Sequence, residues 1–150
     1  WSDPDDRADG LVRHGRSLAD HRSVTAPLHK YVLASGERGV SGSAQGMAAH
    51  TVFRLQPGGN SCSLLEGELK TGRTHQIRVH LAHLGYPAAG DDKYGDFALN
   101  KQLAKQGLKR MFLHACRTVI AHPQTGEPLA LEAPLPPELG SFLDTLDAGR

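Results

Sequence analysis

The hydrophobic period of this chain changes abruptly at Gly72, and that change limits what it can fold into. Residues 61–70 alternate: Leu65, Gly67 and Leu69 share one side, and Glu66, Glu68 and Lys70 the other. That pattern describes a half-buried β-strand. Just beyond, Ile77, Leu81 and Leu84 recur at i, i+4 and i+7, one face of a helix. The backbone must leave a sheet and enter a helix within a few residues, and Gly72 permits the sharp turn. Thr74 stands where an N-cap belongs, and Gly85 stops the helix before Tyr86 and Pro87.

The surrounding segments extend this reading. Residues 49–55 alternate and contain β-formers, and PGGN (57–60) turns the chain back, so 49–70 reads as a hairpin leading into the junction. Residues 27–33 form a short strand, SGERG (35–39) a turn and 39–48 a small, polar loop. After the helix comes a glycine-bounded loop, AGDDKYGD (89–96), then a helix over 97–106 stopped by Gly107. Residues 111–121 and 129–133 are strands joined by the turn HPQTGEP (122–128). Pro137 opens a final helix with Leu139, Phe142, Leu143 and Leu146 on its core face. Residues 1–26 are polar and acidic, without periodicity, and read as a mobile lead-in; 27–150 reads as one domain. The fold class is α+β, a mostly antiparallel mixed sheet with flanking helices.

Charge is unevenly placed. The net charge is only +1, yet residues 70–117 hold nine Lys and Arg against three Asp, and the remainder is acidic. A local field of this kind attracts polyanions even when the total does not. Its densest part is KTGRTHQIRVH (70–80), with two Arg, one Lys, two His and no acid. A lysine-rich, solvated helix face accounts for 101–110 but not for a stretch that uses Arg and His. No apolar run approaches the ~18 residues of a membrane span. The N-terminus, WSDPDDRADG, has no apolar core segment. Cys62 and Cys116 do not make a disulfide framework and read as reduced thiols, so a cytoplasmic setting is expected.

Three chemistries compete for the basic stretch. Arg73, Thr74 and His75 at a helix start suit a phosphate, and Arg78, one turn on, suits a buried carboxylate held ionised. A metal site would draw on His75, His80 and His83, but these do not share one face and no Cys or carboxylate completes a ligand spacing. The third reading is structural, with Arg and His making ion pairs and nothing more.

TGRTHQIRVH, followed by LGYPAAGDDKYGD, then MFLHA (111–115), HPQTGE (122–127) and LEAPLP (131–136), resembles the RluA-type family of RNA pseudouridine synthases. PLHKYVLASGERG and AQGMAAHTVFRL match in the same order, so the resemblance covers about residues 27–145. The stretch LNKQLAKQGLKRMFLHA is similar to the subgroup that acts on large-subunit rRNA. Met47 departs from the Lys usual in the family. The resemblance implies isomerisation of uridine in RNA without cofactor or metal, by an Asp in an H-R-L-D motif. It implies that Arg78 partners that Asp, and that Lys70, Arg73, His75, Gln76 and Lys93 form the RNA-facing rim. No H-R-L-D occurs here; RSLADHR (16–22) lacks the spacing, and Asp91 and Asp92 match a family loop that does not supply the nucleophile. In the family the Asp motif and an active-site Tyr precede a Trp that Trp1 matches. The chain is therefore expected to be the C-terminal part of a catalytic domain, without the Asp motif or the S4-type domain, and inactive alone.

Overall fold

The computed structural model describes residues 6–13, 21–56 and 62–148. In chain order the elements are β1 (Asp6–Arg13), β2 (His21–Val24), β3 (Leu28–Val32), β4 (Arg38–Gly42), β5 (Thr51–Leu55), β6 (Cys62–Leu69), α1 (Gln76–His83), α2 (Phe97–Lys105), β7 (Leu113–Ala121), β8 (Pro128–Glu132) and α3 (Pro137–Ala148). Six strands form one sheet in the order β2-β5-β6-β1-β7-β8, and β3 pairs with β4 in a separate hairpin. Each of these ladders is antiparallel. The α+β class read from the sequence is the class observed, and β5 and β6 pair as the expected hairpin, from Thr51 opposite Leu69 to Leu55 opposite Leu65. The PGGN turn lies outside the described residues.

The reading of residues 1–26 as a mobile lead-in is corrected where the structure describes them. β1 sits inside the sheet, hydrogen-bonded to β6 on one side and β7 on the other, and β2 pairs with β5. Its sequence, DRADGLVR, hides this because one half of the strand carries charge on a sheet face. Arg7 Nη1 donates to Glu66 Oε1 at 2.9 Å across the ladder, so the polar side chains are matched between strands. The alternate positions Ala8 and Val12 are buried, and so is Leu11 on the opposite face. Residues 39–48 were expected as a loop, but Arg38–Gly42 is strand β4. A Cβ on Gly39 would lie 2.2 Å from Cζ of Tyr31. The tyrosine ring crosses the neighbouring strand there, and only glycine leaves it room.

Helices cover both faces of the sheet. On one face Ile77 and Leu81 of α1 pack with Ala8, Val12, Phe53 and Leu65. On the other, Leu11 and Cys62 meet Leu103 of α2 and Leu139 and Phe142 of α3. Burying Leu81 and Phe53, at 1% and 2% exposure, stabilises the fold by about 2 kcal/mol each. The β3–β4 hairpin closes over Val79 of α1 through Leu28, Val40 and Ala49. So α1 is clamped between sheet and hairpin, and its N-terminus opens where the two meet. Among the described residues no helix is long and apolar enough to cross a membrane.

Candidate active site

The strand-to-helix junction is held by Gln76, the first residue of α1. Its Oε1 accepts from Arg73 N at 2.9 Å and Thr71 Oγ1 at 2.7 Å, and its Nε2 donates to His50 O and Thr51 Oγ1, both at 2.9 Å. The side chain is 2% exposed, and its four hydrogen-bonding positions are filled. This corrects the expectation of Gln76 at an RNA-facing rim: it fastens the 71–73 turn to β5 and has nothing left for a ligand. It also replaces the expected cap. Thr74 does not cap α1; the N-cap is His75, at φ 51° and ψ 24°, with no side-chain capping bond.

His75 is the one non-glycine residue with positive φ among the described residues. A left-handed L-residue costs about 1–2 kcal/mol and persists only where its surroundings hold it. Here the ring does the holding. Its Nδ1 lies 2.8 Å from Tyr94 Oη, and the same hydroxyl accepts from Val40 N at 3.0 Å. Burial, then repulsion from Arg78 and Lys93, push the His75 pKa below the ordinary histidine value, so the ring is neutral. Tyr94 thereby ties three segments together: the hairpin at Val40, the helix start at His75, and its own loop.

Arg78 lies 5.0 Å over the Tyr94 ring and donates from Nε and Nη2 to the two oxygens of Asp91, each at 2.8 Å. Asp91 is fully buried and also accepts from the N–H groups of Lys93 and Tyr94. Burial alone would raise its carboxyl, but the Arg78 guanidinium and the two N–H groups outweigh burial and hold it below the usual range. The same pairing raises Arg78. The carboxylate that Arg78 holds in this chain is Asp91. Nη1 of Arg78 has no partner among the described residues and is the part of the fork left to face outward.

Around these groups the surface is hollowed. A cavity of about 250 Å³ is lined by Arg73, His75, Gln76 and Arg78 together with Leu69, Ile77 and Leu113. No carboxylate lines it among the described residues. A second, of about 410 Å³, lies between the hairpin and the junction, with Lys30 and Arg73 on its rim. A third, of about 380 Å³, is flanked by Lys30, Arg38 and His75. Arg73 is placed by its own Nε, which donates to Ala48 O at 2.9 Å.

The structure thus brings Arg73, His75 and Arg78 together, with Lys93 near enough to repel a charge on His75, but not Lys70. Gly67 faces Ile77 of α1, so Glu68 points to the other face of the sheet. The Lys70 ammonium is held by Glu68 there, which corrects its placement at the rim. Lys93 is paired with Glu37 of the hairpin turn. His80 stands apart from any ligand set. It is fully buried, with Nδ1 2.8 Å from Thr51 Oγ1 and Nε2 2.8 Å from Ala26 O. Sequence reasoning missed Tyr94 as an organiser, Leu113 as a cavity wall, and Lys30 and Arg38. The alternating run at 27–33 placed Lys30 on a strand, but nothing in the order of residues brings that strand to the start of α1.

A family model described as RNA pseudouridylate synthase matches residues 20–83. The Ribosomal large subunit pseudouridine synthase C of Pasteurella multocida (strain Pm70) is 46% identical over 136 residues, which are 91% of this chain and 41% of that protein. The protein of the same name from Escherichia coli (strain K12) is 44% identical over 142 residues, 93% of this chain and 44% of its own length. The chain therefore spans less than half the length of these curated relatives. Among solved structures, Human RNA Pseudouridylate Synthase Domain Containing 1 superposes with a TM-score of 0.69 at 25% identity, over 91% of this chain and 58% of that one. Human RNA Pseudouridylate Synthase Domain Containing 4 shares the fold, with a TM-score of 0.71 at 24% identity over 94% and 61%. Residues 20–83 are thus similar to the RNA pseudouridylate synthase model, and nearly the whole chain is similar to one part of these longer relatives.

Proposed function

We propose that this chain carries the Arg78 side of a uridine-isomerising site in a cytoplasmic pseudouridine synthase acting on large-subunit rRNA. The observation that carries the reading is the cavity of about 250 Å³ that gathers apolar side chains (Leu69, Ile77, Leu113) with Arg73 and Arg78. A uridine turned out of its stack needs an apolar surface for its ring and cations for its phosphates. Turning it out costs a few kcal/mol, and phosphate contacts hold the strand while that happens. Arg73 and Lys30 rim the adjoining cavity and are placed to make such contacts. His75, held neutral, adds a polar ring without adding charge.

The reaction breaks the bond from C1′ of the ribose to N1 of the base and makes a new one from C1′ to C5, releasing the hydrogen of C5. A carboxylate is required as nucleophile or base. Asp91 does not fit that role, because it is enclosed and its oxygens are engaged by Arg78 and two backbone N–H groups. No carboxylate among the described residues lines the cavity, so we infer that the working carboxylate comes from outside them and that Arg78 is the group that would meet it. A fused protein tests this, with this chain in place of the corresponding part of the Escherichia coli relative. Tritium release from RNA labelled at uridine C5 is expected from the fusion, and none from the fusion carrying Arg78→Ala. The 150-residue chain alone is expected to bind RNA without release. Release well above background from the chain alone would overturn the assignment of the carboxylate, and no RNA binding at low salt would overturn the reading as a whole.

A further inference from the structure

On the far side of Arg78 lies a larger groove, of about 650 Å³, running between α2 and residues 108–111. It takes Arg78 from the junction, Gly90 and Asp92 from the loop that follows, and the rest of its lining from residues 97–111. Its floor is Gly90, Asn100 and Ala104, and its walls carry Arg78, Lys101, Lys109 and Arg110 against one acid, Asp92. From α2 it receives Phe97, Asn100, Lys101 and Ala104, a single i, i+3, i+4, i+7 stripe. The opposite stripe, Leu99 and Leu103, is what α2 contributes to the core. Phe97 therefore has no packing role to explain it, and it stands 57% exposed. Arg110 is directed inward, donating to the carbonyls of Met111 and Leu113 and pairing with Glu138. Lys109 Nζ donates to Ala104 O. Lys101 has no carboxylate or carbonyl partner among the described residues and is exposed.

We infer that this groove receives the single-stranded RNA that flanks the target nucleotide, with one base stacked on Phe97 and phosphates against Lys101 and Lys109. The inference rests on the uridine-site reading and extends it. Arg78 borders both hollows, so a strand whose target base occupies the smaller one continues over Arg78 into the larger. Small residues on the floor admit a sugar-phosphate backbone, and the excess of positive charge matches it. An exposed aromatic beside mobile cations is the arrangement that holds single strands with little regard for sequence. A uniformly charged helix would lack both the aromatic and the sidedness.

That sidedness provides the test, because Lys105 lies on α2 but outside the groove. Binding of the 150-residue chain to a single-stranded uridine-containing RNA is measured by anisotropy across a salt series. Lys101→Ala is expected to weaken binding about fivefold and to lower the salt slope by about 0.7. Lys105→Ala, with the same loss of charge on the same helix, is expected to change neither. Phe97→Ala is expected to cost about tenfold, with Phe97→Tyr restoring binding and Phe97→Leu not. Equal losses from Lys101→Ala and Lys105→Ala would mean a diffuse field and overturn the groove. So would a Phe97→Leu variant that binds as well as the parent. Arg73→Ala separates the two readings: if it weakens binding while the α2 variants do not, the uridine site stands and the groove falls. If the parent chain binds no RNA at low salt, the uridine-site reading itself fails.

Discussion

Arg78 grips Asp91 side-on, through Nε and Nη2 at 2.8 Å each, and the pair joins α1 to the 89–96 loop. Asp91 is fully buried, and Arg78 keeps only 15% of its side chain exposed. Asp91→Asn preserves shape but leaves the guanidinium without its counter-charge. A broken buried pair costs about 3–5 kcal/mol, and the partial exposure of Arg78 brings the expectation to about 2–3 kcal/mol. Urea denaturation measures it; a loss under 1 kcal/mol would show the pair to be dispensable. The depressed Asp91 pKa adds a pH signature. Its contribution is present above the unfolded carboxyl value of about 3.9 and is lost as pH falls through the lower folded value.

His80 predicts a second, separate pH window. Burial holds its folded pKa below the ordinary value, and His75 is shifted the same way. The unfolded chain takes up these protons near pH 6.5 while the folded chain does not. In that interval the unfolded state binds more protons, so stability falls as pH falls from about 6.5 toward the folded values. Denaturant midpoints at pH 7.5 and 5.5 should differ, with the acidic one lower. Identical midpoints would mean that both rings accept a proton in place.

Gln76→Ala distinguishes a fastener from a ligand contact. Removing the side chain takes away its four hydrogen bonds, to Thr71, Arg73, His50 and Thr51, and should destabilise by about 4 kcal/mol at about 1 kcal/mol per lost bond. RNA affinity of the protein that remains folded at low temperature should drop less than twofold. A stable variant with affinity reduced tenfold would return Gln76 to the rim.

Cys116 should be a poor nucleophile. Burial, then Asp9 and Glu66, push its thiol up to about 11. At pH 8 the thiolate is roughly a hundredfold scarcer than for an unshifted cysteine. Alkylation followed by mass spectrometry should find Cys116 protected in the folded chain and reactive in urea. Rapid native labelling would contradict the cluster.

How much of this was legible in sequence depended on whether an element announced itself by period. β6, α1, α2 and α3 did, because each spends apolar residues on one face and has its stops nearby; Asp96, whose side chain accepts from Leu99 N at 3.0 Å, even caps α2 as such residues do. β1 and β4 did not. Arg7 and Glu66 are complementary only once the strands are paired, and Gly39 is meaningful only beneath the Tyr31 ring. The candidate site divided in the same way. Arg73, His75 and Arg78 could be grouped from one motif, but Tyr94 and Lys30 reach them only through tertiary contacts. Gln76 looked like part of the surface because its neighbours were, and burial cannot be read from a single polar residue.

The place of β1 also affects how the chain is made. Arg7 pairs with Glu66, 59 positions on, and Asp6 with Thr118, 112 positions on. Synthesis delivers this central strand before either of its neighbours. Both its edges stay open until Cys62–Leu69 and Leu113–Ala121 follow, and closing such distant loops precedes any gain from pairing. The sheet cannot be laid down strand by strand as it leaves the ribosome. Only its β7 and β8 side has to wait for the last strands, and the charged residues on β1 help keep that edge from pairing with the wrong chain in the meantime.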